Sequence, residues 1–117
     1  MSRLDEVPPN AFGDGVERPH WGWWLPIIAG MSLTAALACD GGVYAWWSEH
    51  VTALFSRPLL IGIFIGAVAL HVGEALYAYA IAPAAGQMAS RWGWTLQTLT
   101  LGFPSLRLLL RRRAARP

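Results

Sequence analysis

Lysine is missing from this sequence, and all nine of its basic residues are arginines. Whatever positive charge signals, including the choice of membrane side, therefore rests on arginine alone. Cysteine is nearly as scarce. Cys39 stands by itself, so no intrachain disulfide forms and the redox compartment stays open. Charged side chains make up only 14% of the 117 residues, while 55% are hydrophobic. A typical soluble domain carries about 25% charged residues, so this balance excludes an ordinary water-soluble domain. Neither His20 nor His50 has a second histidine or cysteine at metal-ligand spacing, and the two fall near opposite membrane faces, so no zinc site is expected. The glycines of "GVYAW" and "GWTLQ" lack the spacing and context of a phosphate loop.

What is present is a set of long apolar runs. The spans predicted from them are 21–38, 59–82 and 92–110, the last two interrupted only by His71 and Glu74, and by Gln97 and Arg107. Each is long enough at 1.5 Å per residue to cross a hydrocarbon core of roughly 30 Å. The expected fold is all-α, a polytopic membrane protein with three transmembrane helices. Trp21, Trp23 and Trp24 open the first run and Trp92 and Trp94 the third, as an interfacial aromatic belt requires. Pro26 is expected in the first turn of its helix, and Pro104 is expected to kink the third span and free the carbonyl of Thr100.

Between the first two spans, Gly41 and Gly42 are expected to end the first helix. Residues 43–55 place Tyr44, Trp47, Val51, Leu54 and Phe55 at helical spacing, which predicts a short interfacial helix. A polar arm, 1–20, precedes the spans and carries Asp5, Glu6, Asp14 and Glu17. A basic tail, 111–117, follows them. Arginine bias puts the tail in the cytoplasm, and three spans would then put the arm on the opposite side. "TAALAC" before Asp40 lacks the leucine usual in a lipoprotein site and follows an acidic arm, so neither lipidation nor signal cleavage is expected.

The second span has two faces. Gly62, Gly66, Ala69, Gly73 and Ala80 share a stripe, with Gly62 and Gly66 forming GxxxG, and small residues let another helix approach closely. Ala67, His71, Glu74 and Ala78 lie on roughly the opposite face. Ionisable side chains at this depth cost roughly 2.5–3.5 kcal/mol each on insertion scales, so they need a partner or a purpose. Three readings compete. One is a polar clasp joining His71 and Glu74 to Gln97 and Ser105 of the third span. Another is a cofactor site, with His71 ligating haem or chlorophyll above a small Ala67. The third is acid–base or binding work on a lipid or sterol. A lone pair with neither nucleophile nor metal set is thin for catalysis, so no enzyme is expected. Arg107, Arg111, Arg112 and Arg113 are expected to meet lipid headgroups rather than nucleic acid.

"HVGEALYA" (71–78), "LQTLTLGFPSLRLLL" (96–110) and the basic tail resemble the transmembrane protein 254 family of small multispan proteins. The likeness covers the C-terminal half. It implies that His71, Gly73, Glu74, Tyr77, Gln97, Thr98, Gly102 and Ser105 belong to one shared design, and it implies no reaction. The reading at this stage is a non-catalytic accessory or assembly subunit that packs against other transmembrane proteins, or against a second copy of itself.

Overall fold

A computed structural model describes residues 13–116, and all regular structure among them is helical. The first helix, α1 (Trp21–Cys39), begins where His20 Nδ1 accepts the amide of Gly22. Pro26 lies one turn deeper than expected, inside α1, and withholds a hydrogen bond from the carbonyl of Gly22. Asp40 both ends α1 and caps α2 (Gly41–His50), its carboxylate accepting the amides of Gly42 and Val43 at 2.8 and 3.2 Å. Gly41 and Gly42 therefore open a helix instead of closing one. That helix stops five residues short of the expected 43–55. Thr52 Oγ1 takes the amide of Leu54, a local bond that competes with continued helix.

Ser56 caps α3 (Arg57–Ile81), and Pro58 occupies its first turn, where a missing N–H costs nothing. Arg57 reaches across to donate to the carbonyl of Ala38, tying the start of α3 to the end of α1, so the two helices run antiparallel. Both are long and apolar enough to cross a membrane. Only 11% and 6% of their apolar windows are buried. Their hydrophobic side chains face outward, an arrangement suited to lipid and costly in water.

The expected third span does not form. Residues 92–110 fold as two short helices, α4 (Arg91–Leu101) and α5 (Phe103–Ala114), broken at Gly102 with φ 71° and ψ −138°. Only glycine adopts that conformation without strain, and Pro104 fits the first turn of the new helix. The two helices fold back on each other. Ser105 hydrogen-bonds Gln97 and Thr98, and the Arg112 guanidinium lies 5.3 Å from the Trp94 ring. At 11 and 12 residues, each is roughly 17 Å long, about half a hydrocarbon core. The chain thus has two helices long and apolar enough to cross a membrane and a short helical hairpin.

The hairpin also sets where the termini lie in the bundle. Because it enters and leaves at one end, the tail returns to the C-terminal end of α3. The described part of the arm lies there too: Glu17 Oε2 is 3.1 Å from Arg112 Nη2. Arm and tail share an end rather than facing each other across the bundle. Asp5 and Glu6 lie outside the described residues. The buried core sits at the same end, where Ala78, Ile81, Ala82 and Ala85 pack against Trp94, Leu106, Leu108 and Leu109.

Candidate functional site

The tip of the hairpin meets the polar face of α3. A helix leaves its last carbonyls without intrahelical donors. His71 supplies one donor, its Nδ1 lying 2.9 Å from the carbonyl oxygen of Leu99. A carbonyl only accepts, so Nδ1 carries the proton in this bond. His71 therefore faces the negative end of α4. Glu74, one turn along, faces the start of α5: a methyl group on Gly102 would lie 2.9 Å from both Glu74 Oε2 and His71 Nε2. A carboxylate near a helix N-terminus and an N–H near a C-terminus are each the favourable pairing with the helix dipole. Among the described residues Glu74 makes no hydrogen bond or ion pair. Ala67 is half-buried on the same face.

Gln97 and Ser105 meet, but away from His71 and Glu74. Gln97 Nε2 donates to Ser105 Oγ at 3.0 Å and to the backbone carbonyl of Glu17 at 2.8 Å. The fully buried Thr98 and Ser105 hydroxyls lie 3.1 Å apart. Four residues expected in one clasp thus form two polar contacts. One closes the hairpin on itself and on the arm, and the other seats its tip against α3.

The small-residue stripe of α3 faces away from all of this. A methyl group added at Gly62, Gly66 or Gly73 would meet nothing within 4 Å, and Ala69 and Ala80 are exposed. The arginines expected at headgroups divide. Arg107 and Arg111 are exposed and Arg113 donates weakly to the Tyr77 hydroxyl, whereas Arg112 is 6% exposed and paired with Glu17.

Gln87 and Asp14, neither expected from the sequence to be a site residue, hold the arm. Gln87, 2% exposed, accepts from the Gly15 amide and the Trp94 indole and donates to the carbonyl of Gly13. Asp14 accepts the amides of Ala89 and Ser90 and the Ser90 hydroxyl, placing a carboxylate at the entry to α4. The Ser90 hydroxyl, then the Ala89 amide, hold the Asp14 carboxyl below its ordinary value of 3.8. Val16 lies over Gly93, where a methyl group would come within 2.6 Å of it. The available signal was the pair of glycines around Asp14, which marks a turn suited to close packing rather than a free arm.

The family model described as Transmembrane protein 254 matches residues 22–111. No curated protein matches the chain, and no solved structure does.

Proposed function

The chain belongs to the transmembrane protein 254 family, and from that premise we propose that it is a non-catalytic assembly subunit whose outward α3 stripe packs against a helix of a membrane partner. The observation that carries this reading is the division of labour on α3. Its polar face is engaged within the chain by the hairpin tip, while Gly62, Gly66 and Gly73 have open space beside them. Glycines inside a helix weaken it by roughly 0.5–1 kcal/mol each relative to alanine. Among the described residues nothing repays that cost, whereas a second helix would gain close backbone contact from it.

The test is the size of the assembly in native membranes solubilised in mild detergent. The unaltered chain should migrate as part of a larger complex. Gly66→Leu should release it as a folded monomer, since no side chain of its own is in the way. Migration of the unaltered chain as a monomer, or a complex indifferent to Gly62→Leu and Gly66→Leu, would overturn the reading.

A further inference from the structure

The first two turns of α1 stand off from α5, and the cleft between them has a volume of about 530 Å³. Its walls are Trp23, Pro26 and Ile27 on one side and Phe103 and Pro104 on the other, with Arg107 at its edge. That size falls within the usual range of small-ligand sites. The lining is apolar except for one cation. Arg107 is exposed and makes no hydrogen bond or ion pair among the described residues; its guanidinium lies 5.8 Å from the Trp23 ring centroid. The contrast with Arg112, buried on Glu17, is one of charge balance: one arginine is neutralised within the chain and the other is not.

Depth agrees with charge. The hairpin tip lies beside His71, close to the middle of α3. Arg107 stands five residues from Gly102 along α5, so its Cα is roughly 7 Å nearer the membrane surface. A long side chain reaching outward then brings the guanidinium to headgroup level. The Trp23 indole, in the first turn of α1, occupies the same interfacial layer. Below them the cleft continues as hydrocarbon-like wall.

We propose that this cleft holds one anionic phospholipid, its phosphate on Arg107 beside Trp23 and an acyl chain along Ile27, Phe103 and Pro104. Positive charge complements the phosphate and the apolar wall complements the chain, which neither a soluble anion nor a neutral lipid satisfies at both ends. The site is independent of the α3 stripe.

The full chain is reconstituted in phosphatidylcholine vesicles containing a minor fraction of either brominated phosphatidylglycerol or brominated phosphatidylcholine. Bromine in the acyl chain quenches nearby indoles, and the difference between the chain and Trp23→Phe isolates the signal of Trp23. Brominated phosphatidylglycerol should quench about fivefold more effectively at equal fraction, the preference expected of one arginine near an anionic headgroup. Arg107→Gln should remove that preference, Arg107→Lys should keep part of it, and Arg111→Gln should leave it intact. Equal quenching by the two lipids in the unaltered chain overturns the proposal, whatever the variants do. So does an undiminished preference in Arg107→Gln. Loss of the preference on adding inorganic phosphate would assign Arg107 to a soluble anion and remove the lipid.

Discussion

The two halves of α3 (Arg57–Ile81) sit in different surroundings. The C-terminal half is enclosed on its inner face: Ala75, Ala78 and Ile81 are buried against the hairpin, and the arm and tail close over that end through Gln87, Asp14 and the Glu17–Arg112 pair, while Leu70 and Leu76 on its outer face are 67% and 65% exposed. The N-terminal half touches α1 and is otherwise bare, with Ile63 and Ile65 48% and 61% exposed and Gly62 and Gly66 open. The difference teaches where this chain keeps its own fold and where it leaves apolar surface uncovered. Polar side chains gather in the enclosed half because two helix ends lie there, and their unpaired backbone groups require donors and acceptors. The open half has no helix ends at depth and needs none.

The comparison breaks most sharply at Trp94. Its ring is fully buried in the hairpin core and its indole N–H donates to Gln87. Trp94→Ala should destabilise the fold by about 3–5 kcal/mol, read as a lower thermal midpoint in detergent. Ile63→Ala, in the open half, should leave the midpoint almost unchanged, because lipid or detergent replaces what the side chain touched. Equal losses would mean that the halves are not energetically distinct.

Gly102 comes next. Alanine there would be held in a left-handed conformation at a cost of about 1–3 kcal/mol, with its methyl group against His71 and Glu74. Gly102→Ala should loosen the hairpin and shift its tip away from α3. Spin labels on Trp92→Cys and Ala114→Cys, in a Cys39→Ser background, should show one short distance in the parent and a broader, longer distribution in Gly102→Ala. An unchanged distance would show that Pro104 and the core fix the turn without the glycine.

These two positions also show what was legible in the sequence. The crossing helices α1 and α3 were readable because lipid-facing helices are apolar all round, so hydropathy finds them within two residues at either end. The two faces of α3 were readable from helical spacing alone. The hairpin was not, because residues 92–110 are apolar enough on average to pass as a span. Its identity lies in "GFP" (102–104), where a glycine and a proline two residues apart mark a turn more strongly than a kink, and in polar Gln97, Thr98 and Ser105, which meet only if the chain doubles back. The expectation of termini on opposite sides followed from the span count alone. Arg112 and Glu17 were hidden for another reason: separated by 95 residues, they are brought together by tertiary folding that no local pattern records. For the same reason the clasp expected of His71, Glu74, Gln97 and Ser105 could be assembled as a list of residues but not divided into its two contacts.

A smaller effect tests how the enclosed end is latched. The bonds from Ser90 and Ala89 hold the Asp14 carboxyl below 3.8. A depressed folded-state value means that the carboxylate favours the docked arm at pH above 3.8, and that this contribution is lost as pH falls through the lower folded value. Docking of the arm should therefore be constant through neutral and mildly acid pH and weaken only in strong acid. The amide resonances of Ala89 and Ser90 should report it, and Asp14→Asn should flatten their dependence on pH. A transition centred near neutrality would place the latch on another group.

The smallest expected change in the fold belongs to the open half. Gly62→Ala adds a methyl group that meets nothing within 4 Å, in a helix whose backbone alanine accepts more readily. The isolated chain should gain up to roughly 1 kcal/mol from the lost freedom of its unfolded state. If the stripe is a surface for another helix, the same methyl group should lower association while raising the stability of the monomer, and the two measurements should move in opposite directions. Gly73→Ala makes the comparison finer. Gly73 lies beside the enclosed half but on the outer face, so it should behave like Gly62 rather than like its sequence neighbour Glu74. A loss of monomer stability at Gly73 would mean that the C-terminal half is enclosed on its outer face as well as its inner one.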